Sequence, residues 1–175
     1  MKTIYAAALV AALNAVTATT AQAHITLETA EAPAASTYKA VLRVGHGCEG
    51  TATRTIRVLI PEGAIAAKPM PKPGWTLTTR EADYAKPYKY FEQTLTRGVV
   101  EVVWSGGELP DAWYDEFVFR VRLPEGEAGT VVYFPVVQEC ATGVHRWIEI
   151  PEPGQSAHDY KEPAPGVTLG AKKSH

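Results

Sequence analysis

Tyr38-Lys39-Ala40-Val41-Leu42-Arg43-Val44 and Glu116-Phe117-Val118-Phe119-Arg120-Val121-Arg122-Leu123 are the two stretches whose reading decides the fold class. In the first, Ala40, Leu42 and Val44 share one parity while Lys39 and Arg43 take the other. In the second, Phe117, Phe119, Val121 and Leu123 alternate with Arg120 and Arg122. A period of two marks a half-buried strand, because successive side chains leave a pleated chain on opposite faces.

The same signal recurs outward along the chain. Arg54–Ile60 aims Ile56, Val58 and Ile60 one way. Trp75–Arg80, Tyr88–Leu95, Val99–Trp104 and Arg146–Ile150 add further short runs. Thr130–Gln138 is apolar on both faces but contains Pro135, which lacks a ladder N–H and so predicts an edge or a bulge. Pro61-Glu62-Gly63, Gly106-Gly107 and Pro124-Glu125-Gly126 punctuate the runs. Short strands with turn signals at this spacing predict an all-β protein, an antiparallel β-sandwich or Greek-key barrel. After the N-terminal segment discussed next, no long window carries a helical period; a single helical turn is expected near Pro110–Asp115. From Pro151 the chain turns to Pro, Gly and small polar residues, and residues 162–175 are expected to form a disordered tail beyond a domain spanning 24–161.

Residues 1–23 read as a secretory signal peptide. Lys2 supplies the positive end, an Ala-, Leu- and Val-rich stretch follows through Val16, and Ala21-Gln22-Ala23 is a small-x-small cleavage site. Cleavage after Ala23 makes His24 the first mature residue. A histidine at a free N-terminus offers its α-amine and its ring Nδ1 to one metal ion, which no internal histidine can do because its backbone nitrogen is an amide. The signal has no twin-Arg pair and no Cys follows the cut, so general export to the periplasm is expected, without a lipid anchor.

The mature chain keeps about 150 residues, enough for one domain with a real core. It loses Lys2 and becomes one unit more negative than the full chain's −2, with no basic stripe, so nucleic acid is not an expected partner. No second apolar run reaches the roughly 20 residues that cross a bilayer.

The 2 cysteines, Cys48 and Cys140, read most simply as a disulfide in an exported protein, closing a loop of about 90 residues. The alternative is a pair of thiolate metal ligands. Gly45-His46-Gly47-Cys48-Glu49-Gly50 packs His, Cys and Glu among three glycines after a strand. It reads either as a ligand loop, with Glu49 as carboxylate and His46 as imidazole donor, or as a plain turn. Cys140-Ala141-Thr142-Gly143-Val144-His145-Arg146-Trp147 also follows a strand. A Cys48–Cys140 bond would hold the two loops together, since bridged Cα atoms lie within about 7 Å. Trp147 reads as a core aromatic or as a wall over a metal, and His145 as a surface histidine. His158 and His175 receive no role.

An amine, an imidazole and a carboxylate make a nitrogen/oxygen donor set. Tetragonal N/O donors suit Cu(II), which also tops the affinity order of divalent first-row ions, and Zn(II) is the generic competitor. No Gly-x-Ser-x-Gly elbow and no phosphate-binding glycine loop occurs, so hydrolase and nucleotide chemistry are not expected.

Taken together these residues resemble the YcnI-like copper-binding family of exported β-sandwich proteins. The marks are His24-Ile25-Thr26, His46-Gly47-Cys48-Glu49-Gly50, Val58-Leu59-Ile60-Pro61-Glu62-Gly63, Gly74-Trp75, Trp104-Ser105-Gly106-Gly107-Glu108-Leu109-Pro110, Glu116-Phe117-Val118-Phe119, and Cys140…Gly143…Trp147-Ile148-Glu149-Ile150-Pro151. The resemblance implies an immunoglobulin-like or cupredoxin-like sandwich with a mononuclear Cu(II) site of single-histidine-brace type. His24 would bind through amine and ring, Glu49 would be the carboxylate ligand, and Trp147 would stand beside the metal. His46 and the cysteine pair depart from some relatives, and His46 offers a second imidazole. This chain also lacks the C-terminal membrane helix of some members, which implies a diffusible form.

The expected function is a non-enzymatic periplasmic copper chaperone or buffer that exchanges copper with other periplasmic or membrane copper proteins. Two alternatives stand beside it. One is a histidine-brace copper enzyme acting on polysaccharides, which would use His46 or His145 as a second histidine. The other is a metal-free immunoglobulin-like interaction module.

Overall fold

The computed structural model describes residues 24–172, so the expected signal segment 1–23, and His175, lie outside the described residues. The described chain is all-β apart from one 3-10 turn, Ala157–Asp159. Its strands are β1 (Thr26–Leu27), β2 (Glu31–Pro33), β3 (Thr37–Val44), β4 (Thr53–Leu59), β5 (Ile65–Pro69), β6 (Thr76–Tyr90), β7 (Gln93–Leu109), β8 (Asp115–Arg122), β9 (Val131–Tyr133), β10 (Val136–Cys140), β11 (Val144–Trp147) and β12 (Gly166–Gly170).

They form a four-stranded sheet in the order β1-β3-β8-β5, a five-stranded sheet in the order β11-β10-β4-β7-β6, and a three-stranded sheet in the order β2-β12-β9. The two alternating stretches that signalled the fold lie side by side: β3 pairs antiparallel with β8, Ala40 opposite Phe119 and Leu42 opposite Phe117. In the other large sheet Ile56 faces Trp104 and Val58 faces Val102 across β4 and β7. All of these side chains are fully buried and belong to one core cluster. Burying one parity from each sheet against the other is what makes a sandwich, and a register slip of one residue would turn each set outward.

Pro135 has the effect its chemistry demands. The apolar run around it divides into β9, in the three-stranded sheet, and β10, in the five-stranded one. A residue with no N–H breaks the ladder, and its carbonyl accepts from Leu59 N–H at 2.9 Å as the chain steps between sheets. The expected runs Trp75–Arg80 and Tyr88–Leu95 belong to one long hairpin, β6–β7, in which Tyr90 faces Gln93 across the bend. Near Pro110, where the sequence predicts a helical turn, the chain makes an ordinary turn closed by one hydrogen bond, Trp113 N–H to Pro110 O at 3.0 Å, and no helix.

The expectation of a disordered tail is overturned for residues 162–172; its last three positions, 173–175, lie outside the described residues. Gly166–Gly170 is β12, which pairs parallel with β2 and antiparallel with β9, and it buries Val167 and Leu169 completely. The domain therefore runs on past residue 161. The polar composition misled because only two side chains of this strand enter the core. Its ladder bonds go to segments far away in sequence. Among the described residues no helix is long and apolar enough to cross a membrane.

Candidate metal centre

Three local structures converge at one end of the sandwich. The first is the start of β1. Thr26 pairs with Arg43 and Leu27 with Leu42, antiparallel. Continuing that register by two residues brings His24 level with Gly45, where β3 ends and the glycine-rich loop begins.

The second is that loop. His46 Nδ1 lies 2.5 Å from the Gly47 carbonyl oxygen. Gly47 N–H donates to Asp111 Oδ1 at 2.9 Å. A Cβ on Gly47 would stand 1.8 Å from Thr51 O, so only glycine allows the chain to fold back this closely. Cys48 and Thr51 exchange backbone bonds of 3.2 and 2.8 Å, closing a tight turn. Glu49 sits at the crown of that turn with a φ of 49° and is exposed. The loop is tied across the molecule by the Cys48–Cys140 disulfide, which settles the two cysteines as a bridge rather than thiolate ligands. The Thr51 hydroxyl adds a second tie, donating to Thr142 O at 2.8 Å and accepting from Thr142 N–H at 3.2 Å.

The third is the β10–β11 hairpin. His145 and Trp147 are two residues apart on β11 and therefore share a face. Opposite His145 on β10 is Gln138. Gln138 is only 1% exposed and spends its whole amide on the site. Its Oε1 accepts from the Trp147 indole N–H at 3.0 Å, and its Nε2 donates to His46 O at 2.7 Å and to Thr53 Oγ1 at 2.8 Å. A buried amide satisfied in this way fixes its neighbours' orientation, because any other arrangement strands a buried polar group.

Around Trp147 stand three imidazoles. Ring centroids lie 5.6 Å away for His24, 6.3 Å for His46 and 4.9 Å for His145, and His46 and His145 are 5.7 Å apart with their planes at 89°. Burial lowers the His24 ring's pKa below its ordinary value, and the nearby His158 and His46 rings push the same way. The neutral ring, the form that binds metal, is thereby favoured.

The segment after β11 completes the surroundings. His145 Nδ1 is 2.7 Å from Glu162 Oε1, and the other Glu162 oxygen accepts from Arg146 N–H at 3.0 Å. Burial alone would raise the Glu162 pKa, but these bonds outweigh it and hold the carboxyl below its usual range. His158, on the Ser156-capped 3-10 turn, joins His24, Leu27, Pro163 and Ala164 in lining a pocket of about 320 Å³.

Of the residues singled out from sequence, the structure thus gathers His24, His46 and Trp147, with the disulfide behind them, and leaves Glu49 exposed on the adjoining turn. It adds His145, read as a surface histidine, together with Gln138, Glu162 and His158. Among the described residues no three His, Cys, Asp or Glu side chains form a ready-made metal cage. The donor chemistry nevertheless fits copper: imidazole nitrogens, and a backbone nitrogen at His24 that would be an amine in a chain beginning at that residue.

No curated protein matches this chain. Among solved structures, it is similar to an uncharacterized protein from Nocardia farcinica described as having an immunoglobulin-like fold. Identity is 25%, the TM-score is 0.62, and the match covers 84% of this chain and 98% of the other. A family model described as a domain of unknown function, DUF1775, matches residues 24–169, from the first histidine of the site to the last strand. The chain belongs to the DUF1775 family, that of the YcnI-like proteins.

Proposed function

We propose that the protein, exported to the periplasm and cut after Ala23, binds Cu(II) through His24 and serves as a copper chaperone or buffer rather than an enzyme. The observation that carries this reading is the His24 ring standing against buried Trp147, level with the loop that holds His46 and Glu49. His24 would contribute its amine and ring Nδ1, and the resemblance to YcnI-like proteins supplies Glu49 as the carboxylate donor. Copper, when bound, provides a divalent centre with strong preference for nitrogen donors. Trp147 covers one flank of the ring, and its indole N–H is already held by Gln138, so it excludes water there without competing as a ligand. A site at a chain end, with few protein donors, suits handing the ion to another copper protein.

The test compares protein beginning at His24 with protein carrying one extra alanine before it. The extra residue converts the amine to an amide and removes the chelate. Copper titration against a competing chelator should show affinity lower by about a hundredfold, the order expected when one of two linked donors is lost. Equal affinities would overturn the reading. Glu49→Gln should weaken binding in the protein beginning at His24 if the carboxylate is a ligand.

A further inference from the structure

We infer that His46 and His145 form an imidazole pair that binds a copper ion in its own right, with Glu162 as the positioning residue for His145. The inference rests on the copper reading above but does not need the N-terminal amine.

The argument starts from the two Nδ1 atoms. That of His46 is 2.5 Å from the carbonyl of Gly47. A carbonyl can only accept, so Nδ1 carries the proton and the neutral ring's lone pair is on Nε2. That of His145 is 2.7 Å from a Glu162 oxygen, and a carboxylate likewise accepts. Both rings are thus held in the tautomer that offers Nε2 to a metal. Hydrogen-bonding the far ring nitrogen to a carboxylate or carbonyl is how proteins fix metal-binding histidines.

The rings also have the right separation. Two imidazole nitrogens bound at about 2 Å to one ion hold their ring centroids roughly 4.5 Å apart at a right angle and about 6.3 Å apart when opposite, so bridging separations lie between these limits. The centroids of His46 and His145 are 5.7 Å apart. Neither backbone is free to drift. The His46 carbonyl is held by Gln138, the turn after it is bolted by the disulfide and by Thr51, and the His145 ring packs at 4.9 Å on Trp147. The donors come from a loop and a strand 99 residues apart by number, His46 to His145, so the pair exists only in the folded chain. Two protein nitrogens with solvent completing the shell make a weaker site than an amine chelate. Such a site suits an ion in passage between His24 and the protein surface.

The test uses the protein with alanine placed before His24, in which the amine chelate is gone. Copper(II) is titrated in and followed by electron paramagnetic resonance. The expected result is one bound equivalent with nitrogen couplings from two imidazoles. His145→Gln keeps an amide donor for Glu162 but removes the ring, and should reduce binding at least tenfold. His46→Gln should do the same. Glu162→Gln should weaken binding by about tenfold and alter the resonance parameters, as the loss of a residue supporting a metal ligand does. Far-ultraviolet circular dichroism of the metal-free variants confirms that they are folded.

Failure of the extended protein to bind copper would overturn the inference, and so would binding indifferent to both histidine changes. A Glu162→Gln variant that loses thermal stability but keeps the affinity and resonance of the parent would reduce Glu162 to a structural strut and overturn its positioning role. If the extended protein loses all binding while the protein starting at His24 keeps it, only this inference falls. If the two bind equally, the His24 reading falls instead.

Discussion

The indole N–H of Trp147 donates to the Oε1 of Gln138 at 3.0 Å, between two residues that are 3% and 1% exposed. Replacing Gln138 by leucine would leave the indole N–H, the His46 carbonyl and the Thr53 hydroxyl without this partner. Each stranded buried group costs about 1–3 kcal/mol, partly offset by relaxation. Gln138→Leu should therefore destabilise the protein by about 2–4 kcal/mol in urea unfolding and shift the tryptophan emission. An unchanged midpoint would show that the amide is not the organising group.

The Cys48–Cys140 bridge spans a sequence separation of 92. Removing a native disulfide from a small exported domain costs about 2–5 kcal/mol. Denaturant unfolding of a Cys48→Ala, Cys140→Ala double variant should show that loss. Because the bridge also ties the His46 loop to the β10–β11 hairpin, copper affinity should fall even under conditions where the variant is fully folded.

Leu169 is 1% exposed on the last strand. Leu169→Ala should cost about 2–5 kcal/mol, as truncating a large buried side chain does. A disordered tail would tolerate the change with no effect, so thermal unfolding of this one variant separates the two descriptions of the C-terminal segment.

Glu162 holds its carboxyl below the usual range because the bonds from His145 and Arg146 outweigh its burial. A carboxyl with a depressed folded pKa binds fewer protons folded than unfolded, so stability rises with pH across the interval between the two values. Its contribution is fully present above the ordinary carboxylate pKa of about 4.3 and disappears as pH falls through the lower, folded value. In metal-free protein, wild type should exceed Glu162→Gln in stability near neutral pH, and the difference should close in acid. A gap that persists unchanged below pH 3 would mean that the carboxylate's charge is not the source.

The sandwich was legible because its two central strands follow the rule of alternation almost without exception. Ala40 and Leu42 pair with Phe119 and Phe117, and all four join Val44 in the buried core. β12 was harder to see. Its own signal, Val167 and Leu169 at a spacing of two, is only five residues long and sits between prolines and glycines. What makes it a strand is pairing with Glu31–Pro33 and Val131–Tyr133, and no local pattern carries that information.

The site divides in the same way. His24 stood out because the small-x-small pattern just before it is a local signature. Gln138 had one too, since it occupies the inward parity set by Val136, where a polar residue must be satisfied. His145 had a weaker one, the parity it shares with Trp147 on β11. Glu162 had none: its role depends on a chain path that returns to His145 after the 3-10 turn.

The parallel pairing of β2 with β12 has a consequence for the order of assembly. β2, Glu31–Pro33, is joined to a strand from the far end of the family-matched region. A chain that emerges N-terminus first presents His24 and β2 long before β12. Until then the His24 segment lacks the pocket wall formed by His158, Pro163 and Ala164. The surroundings of His24 are therefore completed late in assembly, once the chain as far as β12 is available to fold.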